Sequence, residues 1–350
     1  MPIRAPDLRK LGITRSSAPF TLHDMKSENW GSYRITPRMR VISDNDYAGD
    51  PDGLIQLAHH LLSPSVEMRA IISSHLRAGD SWNTFEDSVA AGVAAIEDLL
   101  ALMPQQAKRS TVPILEGSRT PLKDSRTAAD TPAARTIIDE ALKSDSQLPL
   151  FVSCGGSLTS IASAWLMEPA IAEKLTVVWI GGPEHDGDAL PPPGAPQYEY
   201  NLHEDVIAAQ VLFNESDLTL WQIPRNTYRQ FNVGRAELFI RMGMAGVLGD
   251  HLYELLAAVP VATKRLGFEF GETYILGDSA LVTLTALHST FEADPSSSHY
   301  RISPKPRLRD DGSYEACPDG VPMRIYTHLD ARTTLEDLYA KLVIHEANRA

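Results

Sequence analysis

Between residues 41 and 223, short apolar runs rich in valine and isoleucine alternate with stretches of helical periodicity, which limits the chain to few architectures. The strand-like runs are Val41-Ile42-Ser43, Met68 to Ser73, Val112 to Leu115, Leu150-Phe151-Val152, Leu175 to Ile180 and Leu218 to Ile223. The spacing predicts helices over Leu54 to Leu62, Phe85 to Met103, Pro132 to Lys143, Leu158 to Met167 and Val206 to Phe213. In the second of these, Val89, Val93, Ile96 and Leu100 are spaced for one buried face, and Pro132 opens the third from its first turn. Strands that are buried apolar runs, each followed by a helix, imply an α/β fold with an open, mostly parallel sheet flanked by helices. Ligands bind such sheets beyond the carboxyl ends of the strands. Three turns fall at that edge: the loop after Ser43, Gly155-Gly156 and Gly181-Gly182-Pro183.

The chain has 350 residues, of which 43% are hydrophobic, enough for a sizeable core. Residues 1–36 are mixed and polar and read as an N-terminal arm, leaving 37–350 as a single α/β domain. Residues 183–198 and the Pro-, Ser- and Asp-rich segment 294–322 read as long surface loops. A net charge of -13 argues against a nucleic-acid partner, which needs a basic face. No run of about 18 apolar residues suggests a membrane span, and the first thirty residues lack the apolar core of a signal peptide. The two cysteines, Cys154 and Cys317, define no disulfide framework. These features predict a soluble, cytoplasmic protein.

The most informative local feature follows the first strand. Asp44, Asp46, Asp50 and Asp52 fall within nine residues, with no lysine or arginine among them. Four uncompensated anions on one short loop repel one another, and a hard cation bound through oxygen resolves the repulsion. With the chain turning at Gly49, Asp46 and Asp52 can address one ion, leaving Asp50 to take a proton from water. The competing reading is an acidic turn capping the following helix, whose N-terminus favours negative charge. A DxD after a strand also occurs in phosphotransfer enzymes of the haloacid dehalogenase type.

The remaining motifs narrow the choice. The aspartate loop resembles the DxDxxxDD signature of the inosine-uridine-preferring nucleoside hydrolase family, with Pro51 inserted before the fourth acid. Gly155-Gly156-Ser157-Leu158-Thr159-Ser160-Ile161-Ala162 is similar to the family's GGLTNIA turn, and Glu199-Tyr200-Asn201 to its EFN segment. Gly277-Asp278-Ser279-Ala280 stands where the family usually has a His-Asp pair. The four motifs occur in family order and span residues 38 to about 290.

The resemblance implies a nucleoside hydrolase-like fold with a Rossmann-like core and a calcium-dependent hydrolysis of the N-glycosidic bond of a ribonucleoside or related N-ribosyl compound. Asp46, Asp52, Asp278 and the backbone carbonyl of Cys154 would hold Ca2+, and Asp50 would be the general base. Asp44 would orient the metal ligands, and Glu199 and Asn201 would bind ribose hydroxyls. Relatives of this kind are homodimers or homotetramers. The leaving-group side departs from the pattern: Gly277 replaces the usual histidine, and the asparagine after the second strand is missing. Asn83, Trp82 and His75 are the candidates to face the base, whereas Tyr228 reads as packing. Two rivals remain: a hydrolase of a different ribosyl substrate, and a calcium-dependent ribose- or nucleoside-binding protein without turnover.

Overall fold

A computed structural model describes residues 35–80, 83–103, 112–264, 270–288 and 298–349. The arm expected over residues 1–36 lies almost wholly outside the described residues, as does Trp82.

The first half of the chain alternates as the apolar runs require. Strand β1 (Met39–Asn45) leads into helix α1 (Asp52–Leu61), β2 (Val66–Ser73) into α2 (Ser88–Ala101), and β3 (Ile114–Glu116) into α3 (Pro132–Ala141). Then come β4 (Leu150–Cys154), α4 (Thr159–Met167), β5 (Leu175–Ile180), α5 (Tyr200–Glu204), α6 (Val206–Gln210), β6 (Thr219–Ile223) and α7 (Arg225–Tyr228). A short antiparallel pair, β7 (Asn232–Gly234) and β8 (Thr273–Ile275), encloses α8 (Arg235–Arg241) and α9 (Val247–Thr263). The chain continues through α10 (Ser279–Leu284), β9 (Ser298–Pro304), β10 (Arg307–Leu308), β11 (Tyr314–Glu315), β12 (Pro322–Leu329) and α11 (Ala331–Arg349).

The main sheet has eight strands in the order β3-β2-β1-β4-β5-β6-β12-β9, all parallel except for the β12–β9 pair. Successive residues of β1 face opposite sides, as strand geometry demands. Ile42 joins a core with Ala133 and Ile137 of α3 and Ile161 of α4. Val41 joins another with Ile55 of α1, Ile96 of α2 and Leu338 of α11. Both faces of the sheet are therefore covered, which is why all seven residues of β1 are buried. After β1 the chain moves outward to β2 and β3, then returns to place β4 on the other side of β1. The loops leaving β1 and β4 diverge at this switch point and open a crevice between them.

Three expectations change. The segment 294–322 is not a long loop: residues 298–304 form β9, antiparallel to β12, and Arg307–Leu308 pairs with Tyr314–Glu315. An edge strand with one open face alternates polar and apolar residues and lacks the apolar run of a central strand. Helix α2 begins at Ser88, capped by the Asp87 carboxylate, and its buried stripe runs through Val89, Gly92, Ile96 and Leu99. Gly92 lets the helix approach β2, since a Cβ there would lie 2.2 Å from Ser73 Oγ. Finally, the predicted helix over Val206–Phe213 stops being α-helical at Gln210 and widens into a π-helical turn over Val211–Glu215. The buried Lys305 ammonium donates to the carbonyls of Leu212, Ser216 and Leu218 at 3.0, 3.0 and 3.2 Å, satisfying groups the widened turn leaves open.

Candidate active site

The loop after β1 is shaped by its backbone. The Gly49 amide donates to the Asp46 carbonyl at 2.7 Å, closing the turn that follows Asp46. The inserted Pro51 sits at the helix boundary with φ of -66°, the value its ring prefers, and α1 starts at Asp52. The insertion is thus absorbed in the turn, and Asp52 occupies a helix N-terminus, where negative charge is favoured.

Asp46, Asp50, Asp52 and Asp278 line one cavity of about 330 Å³ at the carboxyl edge of the sheet, together with Gly155, Glu199, Tyr200, Asn201 and Tyr228. Asp278 comes from the turn between β8 and α10, and its amide donates to Asp52 Oδ2 at 3.1 Å. Burial drives the Asp46 and Asp52 carboxyls well above the usual carboxylate range, and neighbouring acids push them further. Asp278 is raised to about 7, again by burial first, despite an amide hydrogen bond from Asn45. Asp50 is raised to about 6 by burial, moderated by the Tyr274 hydroxyl, which donates to its Oδ1 at 2.7 Å. Asp44 lies behind this group, fully buried at the end of β1, where the Ser74 hydroxyl donates to Oδ1 and Oδ2 has no partner among the described residues. Burial raises it to about 7.

The chemistry of this donor set fits a hard cation: oxygen ligands only, negative charge in excess, and, among the described residues, no lysine or arginine paired with any of the four carboxylates. Among the described residues, no three histidine, cysteine or acidic side chains already stand in a closed metal-binding arrangement. The carboxylates converge on one cavity without forming a finished cage.

Glu199 and Asn201 also line the cavity, from the start of α5. Glu199 Oε2 accepts from the Gly182 and Leu202 amides at 2.7 and 3.1 Å, so the side chain caps α5, and Oε1 accepts from the Tyr228 hydroxyl at 2.9 Å. Asn201 Nδ2 donates to the Gly155 and Ile180 carbonyls at 2.9 and 2.8 Å, tying the β4 turn to the end of β5 and committing its Oδ1 to the acceptor role.

Other candidates stand elsewhere. Cys154 is buried in β4 with its thiol donating towards the Ser157 and Gly156 carbonyls, and the next residue, Gly155, is the one that lines the cavity. His75 is buried between the Ser118 and Glu204 carbonyls, and Asn83 donates to the Leu76 and Arg77 carbonyls; neither lines the cavity. Tyr228, expected as packing, does line it. Its ring packs close to Gly277, where a Cβ would lie 3.1 Å from Tyr228 Cδ2, a tight contact.

Sequence reasoning missed Asn45, Tyr200, Tyr274, Arg225 and Arg229. Asn45 had a local signal, since it sits inside the aspartate loop. Arg225 opens a helix of only four residues, too short to carry periodicity, and Arg229 follows that helix; Tyr274 lies on a three-residue strand outside the main sheet.

The fold and the acid-lined cavity at its switch point define a class of hydrolase. The family model of the inosine-uridine preferring nucleoside hydrolases matches residues 41–296. The chain belongs to this family of N-glycosyl hydrolases. Curated proteins yield no sequence match. Solved structures share its fold at low identity. A plant nucleoside hydrolase, PpNRh1, is 17% identical with a TM-score of 0.63, covering 88% of this chain and 99% of its own. A purine-preferring ribonucleoside hydrolase from Gardnerella vaginalis is 18% identical with a TM-score of 0.66, covering 89% and 100%. An inosine-uridine preferring nucleoside hydrolase from Bacillus anthracis is 17% identical with a TM-score of 0.57, covering 87% and 99%. Among the described residues, no helix is long and apolar enough to cross a membrane.

Proposed function

We propose that the protein is a calcium-dependent hydrolase that cleaves the N-glycosidic bond of a ribonucleoside or related N-ribosyl compound, with Asp50 as general base. The observation that carries this reading is the convergence of three buried carboxylates, Asp46, Asp52 and Asp278, and the half-buried Asp50 on one cavity; among the described residues, Asp50 alone of the four accepts a hydrogen bond from a tyrosine hydroxyl. Asp46, Asp52, Asp278 and the backbone carbonyl of Cys154 would hold the calcium ion, which when bound supplies positive charge to anchor the sugar hydroxyls and acidify the attacking water.

The residues of the chain then divide the work. Asp50, with one oxygen held by Tyr274, takes a proton from water through the other. A carboxyl poised at about 6 is mostly ionised at neutral pH yet basic enough to accept that proton. The water oxygen bonds to C1′ of the ribose as the C1′–N bond breaks, and the bonding pair leaves with the base. Positive charge developing on the sugar is stabilised by the surrounding carboxylates and by Asn201 Oδ1. Glu199 and Asn201 bind ribose hydroxyls, and Asp44 steadies the loop that carries Asp46. The test is a ribose-release assay on a nucleoside panel and on p-nitrophenyl riboside, with and without a calcium chelator. Chelator-sensitive ribose release is expected; release unaffected by the chelator, or release restored only by zinc, would rule out the calcium assignment.

A further inference from the structure

Two arginines line the same cavity, and the acid cluster engages neither of them. Arg225 opens α7 and Arg229 follows its last residue, four positions on, so the two lie on one face. Arg225 is only 8% exposed. Its Nε and Nη2 donate to the Glu184 carboxylate at 2.9 and 2.5 Å. This fork fixes the plane of the guanidinium while Nη1 forms no hydrogen bond with any described residue. Arg229 is exposed, its backbone amide donates to the Arg225 carbonyl at 3.3 Å, and its guanidinium has no hydrogen bond or ion pair to a described residue.

The aspartates leave the end of β1 and α7 follows β6, and β1, β4, β5 and β6 are consecutive neighbours in the sheet. Three strand spacings separate the two elements, roughly 14 Å at about 4.8 Å per strand. The arginines and the aspartates line the same cavity, so a substrate held at the aspartates also faces α7. A guanidinium fork is matched to the planar oxygens of carboxylate and to phosphate, and a buried arginine pre-oriented by a carboxylate loses little freedom on binding them. In a chain of net charge -13, two cavity-lining arginines run against the overall field.

We propose that the site selects ribosides bearing an anionic oxyacid group, carboxylate or phosphate, which Arg225 Nη1 and Arg229 bind on the α7 side of the cavity. The proposal rests on the hydrolase reading above and specifies its substrate class. It also bears on the missing leaving-group histidine, because a cationic wall stabilises negative charge on a departing group without a dedicated acid.

The experiment compares kcat/KM of the calcium-loaded protein for a neutral pyrimidine riboside, its 5′-monophosphate and its base-carboxylated analogue, after p-nitrophenyl riboside has established turnover. At least one anionic compound is expected to exceed the neutral one by about tenfold or more, and R229A to lower that ratio by about tenfold. Whichever anionic arm gains identifies the group as phosphate or carboxylate. R225K, which keeps the charge and loses the fork, is expected to lower the same ratio. Equal values for all three compounds, or a ratio unchanged in R229A, would overturn the proposal. If p-nitrophenyl riboside is not hydrolysed, the hydrolase reading fails instead. Calorimetry with the same three compounds then decides the role of the arginines: tighter binding of an anionic compound, lost in R229A, supports it, and equal binding overturns it.

Discussion

Asn45 Nδ2 donates to Asp278 Oδ2 at 2.8 Å, joining side chains 233 residues apart in the chain. The same amide accepts the Asp46 N–H on Oδ1 at 2.9 Å, so one side chain sets the position of two acids. Gly155 leaves room for it, since a Cβ there would lie 2.5 Å from Asn45 Nδ2 and 2.8 Å from Asp278 Oδ2. N45A and G155A are therefore expected to weaken calcium binding by about 10- to 100-fold, the range typical of residues that orient metal ligands. Titration calorimetry with calcium checks this, and wild-type affinity in both variants would remove Asn45 from the site.

Asp50 is the proposed base. D50N is expected to lower kcat on p-nitrophenyl riboside by about 10²- to 10⁴-fold, the usual contribution of a positioned base. Calcium affinity should stay within a few-fold of wild type, because Asp50 is not assigned to the metal. A good leaving group makes this substrate report on water activation alone, and an undiminished rate would exclude Asp50 from the reaction.

Tyr274 holds the base in place from the β7–β8 pair. Y274F removes the hydroxyl and keeps the ring, which stacks on Phe270 at 5.8 Å. The expected result is a fall in kcat of about tenfold, the scale of losing one hydrogen bond to a charged group, with KM little changed. A rise in KM at constant kcat would instead make Tyr274 a substrate contact.

Glu204 gives a pH-dependent prediction for stability. Burial lifts this carboxyl from 4.5 to about 7, and Asp80 adds to the rise. The folded state therefore binds more protons than the unfolded state between those pH values, so its stability falls as pH rises through that window. E204Q removes the penalty while keeping an acceptor for the Arg77 amide, which donates to Glu204 Oε2 at 2.5 Å. Denaturant unfolding in chelator should show E204Q gaining on the wild type by on the order of 2 kcal/mol more at pH 8 than at pH 5. An equal difference at both pH values would show that Glu204 is not held protonated.

The legible parts of this molecule are those whose cause is local. The central strands are apolar runs because both faces of the sheet are covered, and the four aspartates of the β1 loop are contiguous enough for their repulsion to be read directly. Asp278 was placed only through a motif resemblance, since nothing near it in sequence indicates that its amide meets Asp52. Asn45 escaped notice because its importance lies in a partner more than two hundred residues away. Arg225 and Arg229 were illegible for a different reason: whether an arginine is a solvated surface group or a cavity wall depends on which strand ends stand beside it. The edge strand β9 was read as a loop because a strand with one open face needs no apolar run.

The match to the family model ends at residue 296, but the sheet does not. β12, which follows that limit, lies between β6 and β9, and Lys305 reaches back to three carbonyls around the end of the π-helical turn. A fragment cut where the similarity stops would bare the backbone edge of β6 and leave those carbonyls without their cation. The segment matched by the family model is thus smaller than the sheet it belongs to. An expression boundary drawn at the former would yield a chain prone to pair its open strand with another copy.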